Sequence, residues 1–110
     1  MNKSEQILNT IKSNNVVYSS TVNMFYRKND LSKWQIAVIA SKKKFKTAVQ
    51  RNKIRRQLKA IIRELNVELG DYQIVFIVKQ EWINKTYLEN KAIVYKLLTK
   101  LSKGAVKDVK

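Results

Sequence analysis

The sequence predicts a small single-domain α+β sandwich of about four strands and three helices, in the order α-β-β-β-α-β-α. Three observations predict it. The 110 residues, 45% of them hydrophobic, suit one domain with its own core. Apolar residues recur at helical spacing in three segments, and as alternation or continuous runs between them. The two kinds of segment follow the order helix, strands, helix, strand, helix, which suits helices packed on one sheet.

Taken in order, residues 4–12 read as a short helix with Ile7, Leu8 and Ile11 on one side. Ser13-Asn14-Asn15 reads as a turn. Residues 16–28 are rich in Val, Tyr, Thr and Phe. From Val22 they alternate, with Val22, Met24 and Tyr26 on one face and Asn23, Phe25 and Arg27 on the other. Lys28-Asn29-Asp30 reads as a turn. Trp34 to Ala40 is nearly all apolar, as in a strand buried on both faces. Thr47 and Gln50 have capping-box spacing, and a helix should follow from Ala48 to about Asn66, with Gly70 placed to end the segment. Ile74 to Val78 is a continuous apolar run and reads as a central strand. Thr86 and Glu89 repeat the capping-box spacing. The last helix should run to about Leu101 with Tyr87, Leu88, Val94, Leu98 and Leu101 facing inward. The whole chain, 1–110, reads as one domain, with 102–110 as a flexible tail.

Charge gives the strongest functional signal. There are 23 Lys and Arg against 8 Asp and Glu, a net charge of +15. Self-repulsion at that charge destabilises a compact state, and a polyanionic partner relieves it. The distribution is sharper still. No acid falls between Asp30 and Glu64, while Lys33, Lys42, Lys43, Lys44, Lys46, Arg51, Lys53, Arg55, Arg56, Lys59 and Arg63 all do. An ordinary solvated face mixes its signs. On a helical wheel Ile54, Leu58, Ile61, Ile62 and Leu65 group together. Asn52, Arg55, Arg56, Lys59 and Arg63 group opposite them, and Arg51 falls near the boundary. The apolar face should dock on a sheet and the basic face should meet something anionic. Arginine's planar fork suits phosphate and base edges.

Groups for chemistry are scarce. The chain has no His and no Cys, so the commonest base and the soft metal ligands are missing. Its acids are scattered; Glu64, Glu68 and Asp71 come nearest to a cluster, at a spacing typical of a solvated helix face. Two glycines, Gly70 and Gly104, cannot build a glycine-rich phosphate loop. The expectation is no catalytic residue and no metal ligand in the polypeptide. The segment Met1 to Thr10 contains Glu5 and no apolar signal core, so no secretion signal is expected, and no apolar run reaches membrane-spanning length.

The segment Ser41 to Lys59, SKKKFKTAVQRNKIRRQLK, resembles the signature of the bacterial ribonuclease P protein family. In that family a strand ends in Ser-Lys-Lys and a helix opens on Ala-Val-x-Arg-Asn-Arg, followed by further basic residues. Here Ser41-Lys42-Lys43 and Ala48-Val49-Gln50-Arg51-Asn52-Lys53-Ile54-Arg55-Arg56 match it. The order of elements agrees along almost the whole chain, including the Asp71-Tyr72 pair before the apolar strand. There are departures. Lys53 stands where the family usually has arginine. Lys44-Phe45-Lys46 fills a loop that usually holds a glycine. Ile7 and Ile11 stand in place of aromatics, and aliphatic side chains cannot stack on bases.

The resemblance implies the fold of the second domain of ribosomal protein S5, with a left-handed crossover opposite to the general rule. It implies the protein subunit of a ribonucleoprotein endonuclease that removes the 5′ leader of precursor tRNA. The catalyst would be the RNA subunit, with Mg2+ bound mainly by that RNA. RNA binding would fall to Lys42, Lys43, Lys44, Lys46, Arg51, Asn52, Lys53, Arg55, Arg56, Lys59 and Arg63. A cleft between the first helix and the motif helix, lined by Ile7, Ile11, Val22 and Phe25, would hold the leader. The implied partners are ribonuclease P RNA and precursor tRNA, in the cytoplasm, with no membrane and no protein partner required. Two other readings compete: a ribosomal or other structural RNA-binding protein, and a membrane-surface or partner-binding module that uses amphipathic helices. The second would need large apolar residues on a free helix face, whereas Ile54, Leu58 and Ile61 look committed to a core.

Overall fold

Amphipathic segments form helices over a sheet whose most apolar strand lies inside it. The computed structural model describes residues 3–13, 15–28, 35–65 and 72–107, and side chains between residues 7 and 101. In chain order these form α1 (Lys3–Lys12), β1 (Val16–Val17), β2 (Val22–Lys28), β3 (Gln35–Ile39), α2 (Ala48–Leu65), β4 (Tyr72–Val78), a 3-10 turn (Gln80–Asn84) and α3 (Tyr87–Lys107). The expected features at Asn29–Asp30, Trp34, Asn66, Gly70 and 108–110, and the residues Lys33, Glu68 and Asp71, lie outside the described residues.

The sheet order is β1-β2-β4-β3. β2 pairs antiparallel with β1 and with β4, and β3 pairs parallel with β4. The parallel pair is joined through α2, since parallel strands need a crossover longer than a hairpin. β4 has neighbours on both sides, and Gln73 to Phe76 are all buried within it. Its continuous apolar run is thereby explained. β3 differs from the expectation. It is an edge strand, half-buried at every position from Gln35 to Ile39 rather than buried on both faces. An apolar run shows that a strand is covered, but not how many strands flank it.

The register assigns the faces. Val22 pairs with Val78, Met24 with Phe76 and Tyr26 with Ile74, so these residues share one face with Ile36 and Val38 of β3. Ile54, Leu58, Ile61 and Ile62 of α2 and Val94, Leu97, Leu98 and Leu101 of α3 cover that face as one core. Each large aliphatic side chain so buried stabilises the fold by ~1.5–3 kcal/mol. The other face carries Asn23, Phe25 and Arg27 opposite Ile77, Val75 and Gln73. Here α1 lies against β2 and β4.

The last helix starts as expected and is rotated differently from expectation. Thr86 N–H donates to Glu89 Oε1 at 2.9 Å and Glu89 N–H donates to Thr86 Oγ1 at 3.2 Å, a complete capping box. Leu88, expected inward, is 73% exposed. The buried stripe passes instead through Asn90, Val94, Leu97, Leu98 and Leu101, and a polar residue takes a core position. Asn90 occupies it because its Nδ2 donates to the Trp82 carbonyl at 3.1 Å, tying α3 to the 3-10 turn. The helix also runs on to Lys107, past the expected end near Leu101.

Glu64 joins α2 to α3. It accepts a hydrogen bond from the Tyr87 hydroxyl at 2.8 Å and a salt bridge from Lys91 at 3.2 Å. The Tyr87 hydrogen bond, then Lys91, holds the Glu64 carboxyl below the ordinary carboxylate value. The Thr86 backbone N–H does the same for Glu89.

Two outcomes follow from these contacts. Leu58, fully buried, should cost about 2–5 kcal/mol when truncated to Ala, read by urea denaturation; a neutral Leu58→Ala would contradict the assigned core face. The two depressed carboxyls contribute stability that is complete above their ordinary value of 4.5 and is lost as pH falls through their lower folded values. Thermal melts across that acid range should therefore show a decline that Glu64→Gln makes shallower; an unchanged decline would remove Glu64 from the account.

Candidate nucleic-acid interface

The basic segment is built around one aromatic side chain. Phe45 is fully buried in the core, directly among lysines in the sequence. Its N–H donates to the Ser41 carbonyl at 2.9 Å, and Lys44 N–H donates to Ser41 Oγ at 3.3 Å, closing a single helical turn. Lys42, Lys43 and Lys44 lie on that turn and are exposed, as is Lys46 just after it. Burial of Phe45 thus anchors a loop whose four lysines stay in solvent.

The loop passes directly into α2. Thr47 Oγ1 accepts from Gln50 N–H at 3.1 Å, the expected cap. Arg51 donates from Nη1 to the Phe45 carbonyl at 2.8 Å and is half-buried. The structure therefore gives Arg51 a job that its motif position did not reveal: it fastens the lysine loop to the first turn of α2. Asn52 is exposed, and its Oδ1 accepts from Arg55 Nη1 at 2.8 Å, one helical step away. This contact orients the Arg55 guanidinium along the helix surface. Lys53, Arg56, Lys59 and Arg63 are exposed, and Arg55 is half-buried. The expected face is present, with Ile54, Leu58, Ile61 and Ile62 buried on the opposite side.

Among the described residues no acid is paired with this face. Among the described residues the salt bridge is Lys91–Glu64, and Glu64, the first acid after the basic run, is turned toward α3. Among the described residues there is also no grouping of three or more His, Cys, Asp or Glu that could hold a metal ion.

The expected cleft needs correction. Val22 is fully buried beside Met24 in the core under α2 and α3, and it is closed to any ligand. Phe25 lies three residues along the same strand and so on the opposite face. That face is bordered by α1, not by α2. Ile7, Ile11 and Phe25 are half-buried and remain candidates for a surface there. Asn23 and Arg27 share the face with Phe25, as strand alternation requires, and belong with it as candidates.

Known proteins share this fold and sequence pattern. The chain matches the family model described as Ribonuclease P over residues 1–102. It is 36% identical over 104 residues to the ribonuclease P protein component of Ureaplasma parvum, covering 91% of this chain and 92% of that one. The RNase P protein of Thermotoga maritima, solved with 1-(4-fluorophenyl)-2-thiourea, superposes with a TM-score of 0.78 at 20% identity, covering 89% of this chain and 95% of that one. The Staphylococcus aureus RNase P protein gives a TM-score of 0.74 at 21% identity, with 96% and 93% covered.

The two roles of arginine can be separated. Replacing Arg55, Arg56 and Arg63 together by Ala should leave the melting transition essentially unchanged while weakening RNA binding. Arg51→Ala should lower stability by about 0.5–1.5 kcal/mol through its lost hydrogen bond. Unfolding of the triple variant, or a fully stable Arg51→Ala, would contradict the division.

Proposed function

This chain belongs to the ribonuclease P protein family, and from that premise we propose that it grips the catalytic RNA with its α2 face and steers the 5′ leader of precursor tRNA across its sheet. The observation that carries the reading is the unopposed basic surface of α2 and the loop before it. Exposed Arg56, Lys59 and Arg63, with Arg55 held in line by Asn52, offer forked and point-charge donors to successive phosphates. Lys42, Lys43, Lys44 and Lys46 continue the charge past the helix N-terminus.

In this reading the polypeptide contributes position and electrostatics. Strand cleavage is carried out by the RNA subunit, whose own oxygens supply the hard ligands that Mg2+ requires. The described residues offer no clustered carboxylates for that ion, and no step of the reaction is assigned to a side chain. The leader, single-stranded and flexible, would lie on the sheet face beside α1, with Phe25 as its aromatic contact and Ile7 and Ile11 as an apolar rim. A cytoplasmic enzyme acting on precursor tRNA, with no further protein required, completes the proposal. Among the described residues no helix is long and apolar enough to cross a membrane.

The direct test is reconstitution. Adding the full chain to its cognate catalytic RNA at low Mg2+ should restore cleavage of precursor tRNA; no gain over RNA alone would refute the reading. Phe25→Ala tests the leader surface separately. Stacking on a base is worth about 1–3 kcal/mol, so precursor affinity of the assembled enzyme should fall by that amount while mature tRNA, which lacks a leader, binds as before. Equal loss for both RNAs, or a large loss of stability, would return Phe25 to a purely structural role.

A further inference from the structure

A groove of about 300 Å³ lies beside the basic face, where the first turns of α2 meet the 3-10 turn. Gln50, Lys53 and Gln57 line it from α2, and Trp82, Ile83 and Lys85 line it from the other side. That volume is at the lower end of the range for small-molecule sites.

We propose that this groove seats one unstacked nucleobase of the bound RNA, with Lys53 and Lys85 on the phosphates either side of it. The proposal rests on the RNA-binding reading above and extends it to a contact outside the basic face. Four features of the groove carry it. It adjoins that face, because Lys53, which lines it, sits three residues before Arg56 on the flank of the basic stripe. Its charged lining residues are both lysines, so it complements an anionic strand. Its apolar wall includes Ile83, which is 49% exposed although large and aliphatic. Its polar wall holds amides that suit base edges. The Gln57 Oε1 accepts from Trp82 Nε1 at 3.1 Å, which fixes the amide and leaves its own N–H donors for another acceptor. Gln50 is half-buried alongside.

Geometry narrows the mode of binding. Trp82 is only 2% exposed, so its ring is a wall and not a stacking platform. A base would be held by burial against Ile83 and by hydrogen bonds to its edge, as for bases splayed from RNA loops and bulges. The amide pair gives some selection among bases, which a stacking surface would not.

The experiment uses the full chain, a mixed-sequence single-stranded RNA hexamer, and an abasic ribose-phosphate oligomer of the same length. The Trp82 indole N–H resonance reports on the groove, because that group bonds Gln57. The hexamer should shift this resonance and the abasic oligomer should leave it in place. Ile83→Glu puts an anion into a basic groove at an exposed position and should weaken hexamer binding about tenfold, a loss of about 1.4 kcal/mol. Lys85→Ala should reduce the magnitude of the salt slope by about 0.7, the value for one phosphate contact on a single strand. An unshifted Trp82 signal, an equal shift from the abasic oligomer, or wild-type affinity in Ile83→Glu and Lys85→Ala would each overturn the proposal. If binding is lost in the Arg55, Arg56 and Arg63 triple variant yet intact in both groove variants, the RNA-binding reading stands and the groove falls. If the unaltered chain binds no RNA at all, both fall together.

Discussion

Packing of Ile54, Leu58, Ile61 and Ile62 against the sheet fixes the rotation of α2 about its own axis, and the placement of its basic surface follows from that rotation. A helix has one azimuth per residue, so once the apolar stripe is committed the positions of Arg55, Arg56, Lys59 and Arg63 are no longer free. The core therefore aims the charge. Phe45 does the same for the loop: one buried ring holds a turn on which successive lysines are turned outward. Arg51 couples the two by bonding the Phe45 carbonyl from the first turn of α2.

This arrangement works against the isolated fold. The first turn of α2 contains no acid and instead begins a series of cations, although the positive end of a helix dipole favours negative charge. Like charges follow one another along the helix with no acid to separate them until Glu64. The Thr47 cap and the buried Phe45 offset part of that cost, and the Glu64–Lys91–Tyr87 contact secures the far end. The remainder is the repulsion that a bound polyanion would relieve. Local rules broken in one region and kept elsewhere mark that region as functional. Here the Thr47 cap, the Thr86–Glu89 capping box, the sheet pairing and the core all obey local rules, and the basic face does not.

Much of this was legible in the sequence. The amphipathic period of α2, both cap spacings and the central strand were readable because each is a local pattern with one physical meaning. The role of β3 was not, since an apolar run looks the same at the edge of a sheet as inside it. Leu88 misled because a leucine near a helix start looks inward-facing, while the residue that does face in, Asn90, is polar and is held there by the distant Trp82 carbonyl. Phe45 and Arg51 read as members of a basic motif; that one is a core anchor and the other a fastener depends on contacts between the loop, the helix and the core. Strand alternation alone separates Val22 from Phe25, so the two cannot line one surface. The groove beside Trp82 had no sequence signal, because its walls come from segments that are brought together only by the fold.

The central claim is that the exposed cations of α2 and its loop bind RNA by contacting phosphates, and counterion release measures this most directly. The affinity of the full chain for ribonuclease P RNA should be followed as salt is raised, for the unaltered protein and for the Arg55, Arg56 and Arg63 triple variant. The account predicts a steep linear fall of log K with log salt, about 0.7–0.9 per phosphate engaged, and a slope shallower by about 2–3 in the triple variant. A flat salt response in the unaltered protein, or identical slopes for the two proteins, would contradict it.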